Sequence, residues 1–381
     1  MMGCGGMNKK IKICHYIYAI NGGGVENLLF TYFSQDIMRK YCVSIITQEI
    51  LDHELKDKLV SIGIDIYLVP RRTESFFENF KRSFKIIKKI KPDIMHVHLT
   101  DANWIPLMYA KMEGVRIRIS HSHNVFYYSG LKKLRMSIFR KLGLHYATDL
   151  IGCSQCACDF LFGKTQKCTI VKNAINLDLY RYNNDVRREL RRNYNIDNNI
   201  FVIGCVGRLT EQKNQLFLID ILNYLVNVKN KEDVFCCLIG DGIQKIDIIN
   251  RIEMYHLEKN TLLLGQINDV NKYMSMMDVI VAPSKYEGLG ISNVEAQAAG
   301  LKVVASNRVP IEVNITGNMK FLSLNEKISV WGDVIYNTRV KNREQISNIS
   351  INQLEEVGYS IEKASLRLDQ IYKECLSRYE V

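Results

Sequence analysis

Short apolar runs of strand length recur along this chain, and nearly every one is followed by a stretch whose apolar residues fall three and four apart. Strand and helix periods that alternate in this way build parallel βα units, with the sheet buried between layers of helices. In the first half the runs cover 11–19, 42–47, 64–69, 93–99, 116–120 and 149–154. After the first of them, Val25, Leu28, Leu29, Tyr32, Phe33 and Ile37 mark one buried helix face. A polar, charged interval over 176–199 then precedes a second series at 201–206, 234–239, 261–264, 278–282 and 302–306. One hydrophobic core rarely serves 381 residues. Two doubly wound, Rossmann-like α/β domains are therefore expected, over 1–175 and 176–358, followed by a C-terminal segment, 359–381, whose helix spans 361–376. Open α/β sheets bind ligands beyond the carboxyl ends of their strands, so two facing domains of this kind are expected to place the site in the cleft between them.

Apolar residues make up 47% of the chain and charged residues 24%, the proportions of a water-soluble globular protein. No apolar run approaches the roughly 20 residues of a bilayer span, and residues 1–10 lack the apolar stretch and cleavage site of a secretory signal. The expected location is the cytoplasm. Eleven cysteines are scattered rather than evenly spaced, so reduced thiols are expected. Cys153, Cys156 and Cys158 have metal-like spacing, but no Cys/His pair follows at zinc-finger distance, which favours buried or half-buried thiols at a strand-to-helix junction. The net charge of +11 is concentrated in two segments. One is 71–91, with Phe76, Phe77, Phe80, Phe84 and Ile87 at helical spacing; the other is 131–141, where Leu134 and Ile138 alternate with Lys132, Lys133, Arg135, Arg140 and Lys141. Basic amphipathic helices suit an anionic membrane surface. The same patterns also describe helices packed on a core with a solvated basic face. No nucleic-acid module accompanies the charge, and nucleic acid is not an expected partner.

The densest chemistry begins at Ala282. From there the chain runs through Pro283, Ser284, Glu287 and a Gly288-Leu289-Gly290 turn into a small-residue helix expected from Ser292 to Gly300. The first N–H groups of a helix lack intrahelical acceptors and suit a phosphate. Two carboxylates, Glu287 and Glu295, flank them. Ser292 and Glu295 also fit a capping box, which competes with any ligand role for Glu295. Arg208 and Lys213, just past the 201–206 strand, offer a planar fork and a mobile point charge to a diphosphate. Gly240-Asp241-Gly242 closes the next strand and allows either close ligand approach or a plain turn. The turn at Gly22-Gly23-Gly24 lacks both dinucleotide spacing and a P-loop lysine. His96/His98 and His121/His123 stand at strand ends, each pair on one face; a hydrogen-bonding role, satisfied core histidines and a zinc site are all open.

In order, Gly207-Arg208 with Lys213, the Gly240-Asp241-Gly242 turn, and Pro283-Ser284 through Glu287-Gly288 to Glu295-Ala296 resemble the retaining glycosyltransferases of family 4, which have the GT-B fold. Gly23-Gly24-Val25-Glu26, Arg118-Ile119-Ser120-His121-Ser122-His123-Asn124, Gln212-Lys213-Asn214 and Glu295-Ala296-Gln297-Ala298-Ala299-Gly300 look like its exopolysaccharide and capsule branch. The resemblance implies a nucleotide-diphosphate sugar, most often a UDP-sugar, held chiefly by the second domain, with the acceptor on the first. It implies that Arg208 and Lys213 grip the diphosphate, that Glu295 bonds the ribose, and that Glu287 with the amides after it holds the sugar. His121 or His123 is implied to touch the sugar near its reacting carbon, with His121 preferred. Gly23, Gly24, Gly240, Gly242, Gly288, Leu289, Gly290 and Ser292 complete the implied donor site.

The implied activity moves a hexose or N-acetylhexosamine with retention, without metal or cofactor, to a polyprenyl-diphosphate-linked saccharide at the inner face of the plasma membrane. The alternatives are a nucleotide-sugar 2-epimerase of the same fold and a non-catalytic sugar-nucleotide-binding subunit. The family usually has Asn-Gly at the crossing into the second domain, where this chain has Asn173-Ala174, so altered geometry is expected there. The family also commonly returns its last helix to the first domain.

Overall fold

Strands form where the apolar runs predict them. The computed structural model describes residues 10–126 and 129–379; residues 1–9 of the N-terminal stretch read above as lacking a secretory signal lie outside these. The chain divides into two compact units, one built from residues up to Ala174 together with those from Ile361, the other from Ile175–Ser360.

In the first unit the strands are β1 (Lys12–Tyr16), β2 (Cys42–Thr47), β3 (Asp65–Leu68), β4 (Ile94–Val97), β5 (Ile117–Ser122), β6 (Asp149–Gly152) and β7 (Thr169–Ile170). They pair in parallel in the order β3-β2-β1-β4-β5-β6-β7. Alternation along each strand feeds two cores, one per sheet face. Ile13, Ile94 and Ile119 face one cluster, while Cys14, Met95 and Val97 face the other. The helix Gly24–Phe33 packs on the first face through Leu28, Leu29, Tyr32 and Phe33. The helix Ile361–Ser377 packs there too, inserting Ala364, Leu368, Ile371, Tyr372 and Cys375.

The second unit holds β8 (Phe201–Val206), β9 (Val234–Ile239), β10 (Thr261–Leu263), β11 (Val279–Ala282), β12 (Lys302–Ser306) and β13 (Met319–Leu322), parallel in the order β10-β9-β8-β11-β12-β13. Asp278, at the foot of β11, is gripped by Arg187 and Arg191 at 2.7 Å each and accepts the Val202 N–H at 2.8 Å. Arg191 is fully buried, so this carboxylate neutralises a cation that water does not reach.

Three expectations change. Cys158 is joined to Cys168 in a disulfide, against the expected reduced thiols, and this removes Cys158 from any thiolate set with Cys153 and Cys156. Ala174 is not among the residues of positive φ, so the crossing needs no glycine. The basic segments also part company. In the helix Phe76–Ile90, Phe80, Phe84 and Ile87 pack on the core. In the helix Gly130–Tyr146, by contrast, Leu131, Leu134 and Ile138 are 85%, 62% and 51% exposed.

Candidate active site

The carboxyl ends of β8 and β11 are adjacent, because the two strands pair in register through Val279 and Ile203. The loops that leave them are tied together by hydrogen bonds. Asn214 Nδ2 donates to the Pro283 carbonyl, Gln212 Nε2 to the Tyr286 carbonyl, and the Lys285 N–H to the Gln212 carbonyl. This frame places Lys213 Nζ 2.5 Å from Glu287 Oε1, which also accepts from Ser284 Oγ at 2.8 Å. Glu287 is buried and Lys213 half-buried, so the pair is fixed in a largely dry setting. Lys213, Ser284, Glu287, Ser292 and Asn293 line a small hollow there. A wider one, lined by Lys302, Asn318 and Asp333, opens at the opposite, N-terminal ends of β12 and β13.

Arg208 stands exposed on the loop after β8, and its guanidinium makes no ion pair or hydrogen bond among the described residues. Gly240 and Gly242 pack directly on this loop: a Cβ at Gly240 would overlap the Gly207 carbonyl. Their smallness therefore serves contact between two loops.

The helix expected from Ser292 begins one residue earlier, at Ile291, with Gly290 as its N-cap at φ +74°. Only glycine enters that conformation freely. Ser292 is consequently inside the helix and caps nothing, and the capping box with Glu295 does not form. The carboxylate of Glu295 instead accepts from the Tyr180 hydroxyl at 2.8 Å. Burial pushes the Glu295 carboxyl above its ordinary value, while the Tyr180 bond and the Lys213 charge pull it down. Gly288, Leu289 and Gly290 are buried in the turn that leads to this helix.

The remaining expected residues belong to the first unit. Gly23 is the N-cap of the helix Gly24–Phe33, and its N–H donates to Glu26 at 2.6 Å, so these glycines build a helix entry. His121 lies within β5 rather than after it, and His123 just beyond. They join His96, His98 and His15, the last a residue the sequence reading missed. All five are buried. His15 Nδ1 meets His98 Nε2 at 3.0 Å, and His98 Nδ1 meets His123 Nε2 at 2.8 Å. His96 Nε2 meets His121 Nδ1 at 3.0 Å, and His96 Nδ1 meets the Tyr372 hydroxyl at 2.8 Å. Burial, the largest cause, lowers all five rings from their ordinary value, His15 to about 3 and His123 to about 4. Neutral imidazoles suit a metal, and His15, His96 and His98, or His98, His121 and His123, bring their nitrogens within 4.8 Å of one another. Yet the contacts of 2.8 to 3.0 Å fit a shared proton better than a shared tetrahedral ion, whose ligand nitrogens at about 2.0 Å from the metal stand roughly 3.3 Å apart.

Residues 22–179 match the family profile described as Glycosyltransferase Family 4, and residues 186–325 the one described as Glycosyl transferases group 1. The chain is a family 4 glycosyltransferase. It is similar to the putative glycosyltransferase EpsF of Bacillus subtilis, at 28% identity over 95% of this chain and 96% of EpsF. It is also similar to the UDP-Gal:alpha-D-GlcNAc-diphosphoundecaprenol alpha-1,3-galactosyltransferase of Escherichia coli, at 26% identity over 79% of this chain and 80% of the relative. Among solved structures, that of Anabaena HepE in complex with UDP-glucose superposes with a TM-score of 0.78 at 17% identity, covering 96% of this chain and all (100%) of HepE. This likeness shows the fold, which is GT-B.

Within this glycosyltransferase, Tyr180 and Ser284 join the candidate site through their bonds to Glu295 and Glu287, and sequence reasoning gave neither of them a role. Ser284 was quoted in the motif without a role. Tyr180 sits in the polar, charged interval between the two series of strands, 115 positions from the carboxylate it holds.

Proposed function

We propose that this chain transfers a hexose or N-acetylhexosamine from a UDP-sugar to a hydroxyl of a polyprenyl-diphosphate-linked saccharide during surface polysaccharide synthesis. The observation that carries the reading is the Lys213–Glu287–Ser284 cluster at the carboxyl ends of β8 and β11, with Arg208 exposed beside it. As the glycosidic bond to the diphosphate stretches, negative charge grows on the departing phosphate and positive character on the sugar carbon. Fixed cations and helix-terminal amides favour that distribution over the ground state. Arg208 and Lys213 are assigned to the diphosphate, Glu287 with the amides of Gly288, Leu289 and Gly290 to the sugar, and Glu295, held by Tyr180, to the ribose. His121 is assigned to an oxygen of the moving sugar, with His123 beside it.

The acceptor oxygen bonds to the anomeric carbon on the face the diphosphate leaves, and its proton passes to a phosphate oxygen. The configuration is then retained, and no metal and no protein base are needed. HepE bound to UDP-glucose supports the donor class, and the diphosphoundecaprenol named for the Escherichia coli relative supports the acceptor class.

Among the described residues no helix is long and apolar enough to cross a membrane. The lipid-linked acceptor is reached instead through the helix Gly130–Tyr146, whose exposed Leu131, Leu134 and Ile138 lie on one face bordered by Arg135 and Lys141. An apolar stripe with cationic margins suits an anionic membrane surface.

The test is incubation in chelator with UDP-glucose, UDP-galactose and UDP-N-acetylglucosamine plus a polyprenyl-diphosphate-linked sugar, followed by proton NMR of the new anomeric centre. An α-linked product without metal is expected. A β-linked product, or release of a sugar epimerised at C2, would sink the assignment.

A further inference from the structure

The buried histidines of the first unit make two separate rows, and one of them has a direction that hydrogen-bond counting determines. Strand alternation puts His15, His96 and His121 on the sheet face of Ile13, Ile94 and Ile119, the face on which the helix Ile361–Ser377 packs. That helix brings Tyr372 to His96. The Tyr372 hydroxyl is buried and carries one proton, and among the described residues its one hydrogen-bond partner is His96 Nδ1. A buried hydroxyl that accepted from His96 would leave its own proton without an acceptor, at a cost larger than the bond is worth. Tyr372 therefore donates.

The rest follows ring by ring. A neutral imidazole has one N–H and one lone pair. With Nδ1 accepting, His96 carries its proton on Nε2 and donates to His121 Nδ1. With its Nδ1 accepting, His121 carries its own proton on Nε2. That atom is buried and has no hydrogen-bond partner among the described residues. An unsatisfied buried N–H at the carboxyl end of a central parallel strand is an outlier among buried polar groups. It lies at the edge of the sheet where such folds receive ligands.

We propose that Tyr372 and His96 are positioning residues, which fix His121 as an Nε2–H donor for an oxygen of the sugar being transferred. His121 in this form is a hydrogen-bond donor and cannot take the acceptor's proton, which is why that proton goes to phosphate. The low pKa values keep the row neutral and agree with this role. The inference deepens the proposed transfer and rests on it for the identity of the oxygen, but the tautomer itself does not.

The experiment reads the imidazole nitrogens of the full chain by long-range proton–nitrogen NMR, with the His121 signals assigned from their loss in His121→Ala. A pyrrole-type Nε2 and a pyridine-type Nδ1 are expected for His121 in the free protein; a proton on Nδ1 would overturn the proposal. Tyr372→Phe keeps the ring and removes the donor. It is expected to let His121 exchange between tautomers and to lower kcat/KM for the UDP-sugar about fivefold, while affinity for UDP and the KM for acceptor stay as they were. An unchanged tautomer, or a changed tautomer with undiminished turnover, refutes it. Because the spectrum is taken without substrate, it separates a failure of this inference from a failure of the transferase reading.

Discussion

Removing Lys213 should do more harm to folding than removing both members of its ion pair. Lys213 Nζ and Glu287 Oε1 are 2.5 Å apart; at an effective dielectric of about 20 their attraction is roughly 6–7 kcal/mol before desolvation. Withdrawing both groups from water offsets most of that, leaving a net coupling of about 2 kcal/mol. In Lys213→Ala the carboxylate of Glu287 remains buried, with the Ser284 hydroxyl still donating to it. A cost of about 3 kcal/mol is expected, or about 6–10 °C in the melting of the second unit. Adding Glu287→Gln removes the stranded charge, and the double variant should melt several degrees above Lys213→Ala. Differential scanning calorimetry of the two single variants and the double closes the cycle. Both Lys213 variants should lose about 10- to 100-fold in kcat/KM if the charge-assisted bond proposed between Lys213 and the diphosphate is gone. If the double variant is no more stable than Lys213→Ala, Glu287 is not held by this charge and the site has been misread.

Glu295→Gln should stabilise the fold while impairing transfer. Burial raises the folded carboxyl above its ordinary value, so stability falls as pH rises through the interval between the ordinary and the raised value. The variant should melt above the parent at neutral pH and level with it below the glutamate range; a pH-independent difference speaks against this. Asp278→Asn strands the buried Arg191 and should cost about 3 kcal/mol in urea unfolding. A loss under about 1 kcal/mol would mean the arginine's carbonyl contacts suffice. Leu131→Gln, Leu134→Gln and Ile138→Gln together should weaken binding to phosphatidylglycerol vesicles at least about tenfold without moving the melting temperature. Unaltered vesicle binding would rule this helix out as the attachment face.

Much of the fold was legible because strand alternation and helical spacing are local signals. β2, β8, β9 and β12 begin and end where their apolar runs do. β7, with two residues, and β13, an edge strand reading Met-Lys-Phe-Leu, carry too little pattern to be seen. Within the site, Lys213 and Glu287 stood out through their loops. Tyr180 did not, since what brings it to the candidate site is a contact across the second unit. His15 was hidden for a related reason: a lone histidine in β1 becomes one of five only when the order β1-β4-β5 lines up three strand ends. Ser292 misled because a capping box is read from spacing, whereas the positive φ of Gly290 decides where the helix starts.

The return of the helix Ile361–Ser377 to the first sheet has a consequence for synthesis. The first unit lacks Leu368, Ile371 and Tyr372 from its core until everything between Ile175 and Ser360 has been translated. The second unit is continuous in sequence, and its two ends are clasped by the Ile175 N–H on the Tyr359 carbonyl at 3.0 Å. It can thus finish folding on the ribosome first, while the earlier-made sheet waits with part of one face uncovered. The part of the molecule translated first is the part completed last.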